Sequence, residues 1–144
     1  MDELGRLLIC RACEQLILEA AACADANDAD ALAVLFAEDA TLARPGGVAL
    51  QGRAAIQHAY AARPPERITR HLVTNVRVQV VSESEARATS YVQVWSGSLA
   101  DEPRQQGRPA GRPSVGEFSD QFRKFDCGWL ITHREATFVL SATP

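Results

Sequence analysis

A helix that spans a membrane requires about 20 consecutive apolar residues, and the sequence has no apolar run of that length. It also lacks a dense basic patch, and the net charge of its 144 residues is -3, so neither a membrane nor nucleic acid is an expected partner. The first residues are acidic and lead directly into an amphipathic pattern, unlike a signal peptide. We therefore expect a cytoplasmic protein.

Cysteine and histidine are scarce, with four and three residues. Cys10 and Cys13 form a C-x-x-C pair, but this pair falls inside a helical pattern. A thioredoxin-like motif would stand at the start of a helix after a strand, and no second pair or histidine stands at metal-ligand spacing. We therefore predict small, partly buried thiols, no metal and no cofactor.

What the chain does have is the composition of an ordinary globular protein, with 47% apolar and 23% charged residues. Its length suffices for one well-buried core, so we expect a single domain over residues 1–144. The N-terminal part has helical periodicity. It predicts helices at residues 2–25, from an N-cap at Asp28 to near Glu38, and at residues 53–62, with a short strand at residues 40–43.

From residue 68 onward the periodicity changes from helical to alternating. The pattern predicts hairpin-connected strands at residues 68–81, 86–98, 115–125 and 129–140. Helices followed by an antiparallel sheet make an α+β fold. We expect three N-terminal helices on the concave face of a curved antiparallel sheet, with a cavity between the two layers.

The longest β-like run carries His71 near its start. Strict alternation places Leu72, Val76 and Val78 on an almost wholly apolar face. It places His71 with Asn75 in the other, polar row. That row either faces water or lines a polar cavity, and alternation alone does not decide between the two.

Four segments together resemble SnoaL-like proteins of the nuclear transport factor 2-like superfamily: residues 25–40, 52–56, 69–76 and 128–131. This resemblance implies a cone-shaped α+β barrel with a deep pocket, usually a homodimer formed through the sheet. Relatives of this kind include scytalone dehydratase, ketosteroid isomerase and polyketide cyclases. The superfamily also has members without a catalytic role.

The resemblance also implies site residues. Asp25 matches the catalytic aspartate of the dehydratase branch, and His71 matches its catalytic histidine. Ala20 and Ala24 stand where such proteins have tyrosines. An aspartate that orients a histidine can support proton abstraction next to a carbonyl and return of a proton to a leaving hydroxyl.

Several other residues are candidates for substrate binding. Asp120 shares a face with two phenylalanines, so it is either a buried, protonated donor or part of an exposed interface, which we favour. Two strand aromatics are candidates for the pocket wall or for an interface between subunits. The full set is Tyr60, Tyr91, Trp95, Phe118, Asp120, Phe122 and His133.

Two functional hypotheses follow. The first is a cofactor-free acid/base enzyme, a dehydratase-type lyase or an isomerase or cyclase, acting on a small hydrophobic cyclic or aromatic compound. The second is a non-catalytic module of the same fold that binds a small ligand or assembles with other subunits. Contact between Asp25 and His71 at a closed pocket favours the enzyme.

Overall fold

The computed structural model describes residues 1–143. Its elements, in chain order, are α1 Glu3–Asp25, α2 Ala29–Ala33, β1 Phe36–Ala43, β2 Leu50–Gln51, α3 Arg53–Ala61, β3 Arg67–Val80, β4 Glu85–Ser98, β5 Ser114–Phe125 and β6 Gly128–Ser141. Asp2 caps α1 by accepting a hydrogen bond from the Gly5 amide at 2.7 Å. Within the described part of the chain, no helix is long and apolar enough to cross a membrane.

The predicted α+β fold is confirmed: N-terminal helices pack on one curved sheet of six strands. The strand order is β2-β1-β6-β5-β4-β3, and the sheet is open because β2 and β3 are its edges. The four long strands form antiparallel hairpin neighbours, as expected. The structure adds one parallel pair, since β1 runs alongside β6.

The segment between α1 and α3 differs from the prediction. The second helix ends at Ala33 instead of near Glu38, and the first strand begins at Phe36 instead of Ala40. Pairing with β6 accounts for the change, because the amide of Ile131 donates to the carbonyl of Leu35 at 2.9 Å. A long-range hydrogen bond to a central strand therefore replaces a helical turn that local periodicity favours.

The core lies between α1 and the inner face of the sheet. Ile9, Cys13 and Ile17 follow one another at four-residue spacing on the buried side of α1. Burial raises the pKa of the Cys13 thiol to about 12, so this thiol stays protonated at neutral pH. All four cysteines are free, and only Cys127 is exposed.

A β-bulge in β3 changes which side chains face the core. Thr74 pairs with Tyr91, but the next pair is Arg77 with Thr89, so β3 has an extra residue there. Asn75 adopts a φ of 53°, in the left-handed region. Inward-facing positions therefore run Thr69, His71 and Val73 before the bulge and Val76, Val78 and Val80 after it. The predicted alternation, which placed Leu72 on the same face as Val76, is wrong for this reason.

Candidate active site

A cavity of about 340 Å³ lies between the helices and the inner face of the sheet. Small-molecule sites in proteins typically measure about 300–1,000 Å³. Most of the wall is apolar, with contributions from Ala20, Ala24, Leu32, Phe36, Leu42, Val92, Val94, Phe118 and Ala136. The polar lining consists of Arg44, Tyr60, Arg63, Arg67, His71 and Arg134. A small apolar molecule therefore fits this space.

His71 reaches the cavity wall from β3, and Asp25 meets it from the last residue of α1. The imidazole Nδ1 lies 2.5 Å from the Asp25 Oδ1. The second carboxylate oxygen, Oδ2, accepts a hydrogen bond from the backbone amide of His71 at 3.0 Å. The aspartate thus holds the histidine by both its ring and its backbone. The two side chains are 17% and 15% exposed, and of the two it is His71 that lines the cavity.

The hydrogen bond fixes the tautomer of His71. A carboxylate only accepts hydrogen bonds, so the proton of the neutral imidazole resides on Nδ1. Nε2 then carries the free lone pair and makes no hydrogen bond to any residue within 1–143. This arrangement can accept a proton from a molecule bound in the cavity.

Two residues that the sequence did not single out support Asp25. The buried Thr69 hydroxyl donates to Asp25 Oδ1 at 2.9 Å. Arg63 donates from Nη2 to the Thr69 hydroxyl at 3.3 Å and from Nη1 to the Ala24 carbonyl at 3.1 Å. Arg63 therefore also satisfies a carbonyl in the last turn of α1, where a positive charge is favourable.

A second ion pair, between Arg134 and Asp120, lies in the sheet behind the cavity. Arg134 donates from Nε to Asp120 Oδ1 at 2.7 Å and from Nη2 to Oδ2 at 2.9 Å. Arg134 is 6% exposed and Asp120 is 1% exposed. Burial lowers the pKa of Arg134 and the Asp120 carboxylate raises it, with a net rise, so the guanidinium stays charged.

Arg134 also faces the cavity. Its guanidinium lies 4.0 Å from the centre of the Phe118 ring, a cation–π contact. Asp120 accepts hydrogen bonds from Nε and Nη2 of Arg134, so Nη1 of Arg134 has no protein partner in the described residues. The cavity wall therefore contains a candidate base, His71, and a buried, fixed cation, Arg134, in addition to the three other arginines.

Both expectations for Asp120 are corrected. The favoured exposed position is wrong because Asp120 is buried. The protonated donor is wrong as well, since both carboxylate oxygens accept hydrogen bonds from Arg134 and no substrate-facing proton remains. Asp120 does not line the cavity, and it acts there only through Arg134.

His133 is another correction, and a second bulge explains it. Gln121 pairs with His133 while Phe122 pairs with Ile131, so Thr132 is an extra residue in β6. The bulge turns Arg134 inward instead of His133. His133 is absent from the cavity wall, and its Nδ1 forms a hydrogen bond with the Thr41 hydroxyl.

The predicted aromatic residues divide into three groups. Tyr60 and Phe118 line the cavity, as the prediction requires. Phe122 lies in the hydrophobic core and does not reach the cavity. Tyr91 and Trp95 lie on the outer face of the sheet, 48% and 40% exposed, so the prediction that they form pocket wall is wrong. Their alternative role at an interface between subunits stays a prediction.

Arg44, Arg63, Arg67 and Arg134 were all missed as cavity residues. Arginines are ordinarily solvated, and nothing in their spacing sets these four apart from the other arginines. Among residues 1–143, no three side chains of histidine, cysteine, aspartate or glutamate gather in a way that could hold a metal ion.

The chain is similar to known proteins over most of its length. A family model described as a SnoaL-like domain matches residues 5–135. A candidate scytalone dehydratase from Novosphingobium aromaticivorans is 25% identical with a TM-score of 0.82, and the match covers 96% of this chain and 89% of that one. No curated protein sequence matches the chain.

Two further solved structures have a similar fold. A type 2 hexachlorocyclohexane dehydrochlorinase is 17% identical with a TM-score of 0.82, covering 98% of this chain and 92% of that one. This likeness concerns the fold alone. A nuclear transport factor 2-like protein with a cystatin-like fold, from Novosphingobium aromaticivorans, is 25% identical with a TM-score of 0.71 and coverages of 93% and 84%.

Proposed function

The chain belongs to the SnoaL-like domain family of the nuclear transport factor 2-like superfamily, and we propose that it is a cofactor-free acid/base enzyme. Its reaction class is a dehydratase-type elimination from a small, largely apolar cyclic or aromatic compound. The observation that carries the proposal is the hydrogen bond between Asp25 and His71 at the cavity wall.

The first step is proton abstraction. His71 Nε2 takes a proton from the carbon next to a carbonyl group of the substrate. Asp25 stabilises the imidazolium that forms, because its carboxylate already accepts the Nδ1 proton at 2.5 Å. The electron pair of the broken C–H bond moves onto the carbonyl oxygen as an enolate.

The second step is loss of the hydroxyl group from the neighbouring carbon. The enolate electron pair forms the C=C bond, the C–O bond breaks, and His71 returns its proton to the leaving oxygen as water. Arg134 supports this step with its free Nη1 donor, since a fixed cation stabilises negative charge that develops on oxygen. The largely apolar wall of the cavity shields most of the imidazole from bulk water.

A second candidate function is non-catalytic binding of a small ligand. The observation that favours it is the pair Ala20 and Ala24, which present methyl groups to the cavity. Tyr60 is then the one phenol of the cavity wall among the described residues, and no general acid other than His71 and Tyr60 lines it. In this case the cavity would hold a ligand without changing it.

The test is turnover of a panel of cyclic β-hydroxy ketones, followed by the near-ultraviolet absorbance of the conjugated enone product. We expect wild-type protein to convert at least one compound, and His71→Ala to reduce the rate about 100-fold or more. His58→Ala is the matched control, because His58 is exposed on α3 and lies outside the cavity.

Equal rates for wild type and His71→Ala would contradict the enzyme proposal. Saturable binding of panel compounds without conversion, and without exchange of their acidic hydrogens in D₂O, would favour the binding module instead. Exchange without dehydration would retain the proton-abstraction step and replace the lyase with an isomerase.

A further inference from the structure

Three arginines gather at the solvent-side end of the cavity: Arg44 after β1, Arg63 after α3 and Arg67 at the start of β3. We call them the arginine cluster. Arg44 and Arg67 are exposed and Arg63 is half-buried, so together they form the entrance between bulk water and the apolar interior. Arg63 and Arg67 are four residues apart in the connection from α3 to β3, and the fold brings Arg44 to the same cavity wall.

No carboxylate forms an ion pair with the arginine cluster in the described residues, whose ion pairs are His71 with Asp25 and Arg134 with Asp120. Arg44 lies over the Tyr60 ring, 5.6 Å from its centre. Arg63 donates to the Ala24 carbonyl and the Thr69 hydroxyl. Tyr60 and Asp25 are the acidic groups that raise the pKa of Arg63, and Asp25 is already held by His71 and Thr69.

The cluster also carries an unused buried donor. The Nε of Arg63 is buried and has no hydrogen-bond partner among residues 1–143. A buried N–H without an acceptor is unfavourable, and native proteins seldom contain one. Burial and the like charge of Arg67 both lower the pKa of Arg63, and Arg44 adds to this effect. The positively charged guanidinium groups are thus held close together, and the Nε–H of Arg63 is left without an acceptor.

We propose that the substrate of this cavity is an organic acid whose carboxylate binds the arginine cluster while its apolar body extends toward His71. This inference rests on the proposed function and names the substrate class for it. A carboxylate is planar and accepts paired N–H donors, which matches the geometry of guanidinium groups. The apolar wall beyond the entrance suits a hydrocarbon ring, and it places the acid group away from the reacting carbon.

The test measures binding rather than turnover. The probes are size-matched pairs that differ in charge: benzoate against benzamide, and cyclohexanecarboxylate against its amide, with phenyl phosphate as a further anion. Dissociation constants come from ¹H–¹⁵N NMR titration. We expect each carboxylate to bind wild-type protein about 10-fold more tightly than its amide, because it forms charge-assisted hydrogen bonds. Raising the ionic strength should reduce this preference.

The variant that removes the preference is the double substitution Arg44→Gln/Arg67→Gln. It leaves Arg63 and its hydrogen bonds to Ala24 and Thr69 intact, so folding is retained. Arg63→Gln is tested separately, with its thermal unfolding recorded. The control is Arg77→Gln, an exposed arginine of β3 outside the cavity, which should keep the full preference.

Equal affinity for acid and amide would overturn the proposal, as would a preference that survives in both cluster variants or disappears in Arg77→Gln. Tighter binding of phenyl phosphate than of benzoate would overturn the choice of a carboxylate. His71→Ala separates this proposal from the enzyme proposal. It should keep the preference for acids, whereas turnover of neutral compounds without any such preference would leave the enzyme proposal standing alone.

Discussion

Two carboxylates serve the same cavity, and they are used differently. Asp120 binds Arg134 through two hydrogen bonds in a fully buried setting. Asp25 binds His71 at the cavity wall, where both side chains stay partly accessible. Arginine keeps its proton under all physiological conditions, whereas histidine gains and loses one near neutral pH. One pair therefore holds a fixed charge, and the other pair can move a proton.

The two pairs also differ in how much the fold depends on them. Removal of Asp120 leaves a buried charge without a partner, which threatens the fold. Asp25 and His71 can be altered with less effect on folding, because water reaches them. Substitution of either Asp25 or His71 should reduce turnover more than it reduces stability. Variants of the two pairs should therefore separate effects on stability from effects on turnover.

The largest effect is expected from Asp120→Ala. It should lower the free energy of unfolding by about 3–5 kcal/mol, since Arg134 would remain buried and unpaired. Urea denaturation followed by circular dichroism measures this. Asp126→Ala, at an exposed turn position, is the control and should change stability by about 0.5 kcal/mol or less. A double variant, Asp120→Leu/Arg134→Met, should recover most of the loss; its failure to do so would attribute the loss to packing instead of charge.

The next effect is expected from Asp25→Asn. An amide can no longer stabilise the imidazolium of His71, so turnover of a panel substrate should fall about 100-fold, equivalent to about 2.7 kcal/mol. Stability should change far less than in Asp120→Ala. ¹⁵N NMR of the imidazole provides a readout that needs no substrate: in the wild type near neutral pH, the neutral form of His71 should carry its proton on Nδ1. A wild-type ring protonated on Nε2 would contradict the assigned roles.

A smaller effect is expected from Asn75→Val at the bulge in β3. A β-branched residue with a φ of 53° costs about 1–2 kcal/mol, whereas Asn75→Gly tolerates this conformation. The valine variant should lose stability in urea, and the environment of the His71 ring should change in its NMR spectrum. If both variants behaved like the wild type, the bulge would not be needed to direct His71 inward.

The smallest effect is expected from Thr69→Val, which removes the hydroxyl between Arg63 and Asp25 while keeping the shape of the side chain. The free energy of unfolding should fall by about 1 kcal/mol. The rate should fall less than in Asp25→Asn, because Asp25 still holds the ring and the backbone amide of His71. Thr74→Val, on the exposed face of β3, should leave both the free energy of unfolding and the rate unchanged.

Periodicity was sufficient for most of the fold. The three helices and four long strands lie within a few residues of their predicted positions, because amphipathic patterns decide such elements locally. The start of β1 at Phe36 could not be obtained in this way, since it depends on pairing with Ile131, far along the chain. Element type followed from local sequence, and this boundary followed from a distant partner.

The site was predictable only in part. The resemblance to SnoaL-like proteins brought Asp25 and His71 forward as a pair, and their side chains are in contact. Alternation failed for His133 and Arg134, because one extra residue at Thr132 exchanges the faces of β6. Nothing in the spacing of the sequence marks such a bulge. The partner of Asp120 and the arginine cluster were therefore beyond reach until the strands were paired.

The bulges at Asn75 and Thr132 also bear on how this cavity could change over evolutionary time. In a strand, a single inserted or deleted codon exchanges the row of side chains that lines the interior with the row that faces outward. At the bulge this rule does not hold, because deletion of Asn75 removes the extra residue and leaves Val73, Val76 and Val78 in strict alternation on the inner face. The two bulges therefore mark positions where a codon can be lost while the helices, the strand order and the lining of the cavity all stay the same.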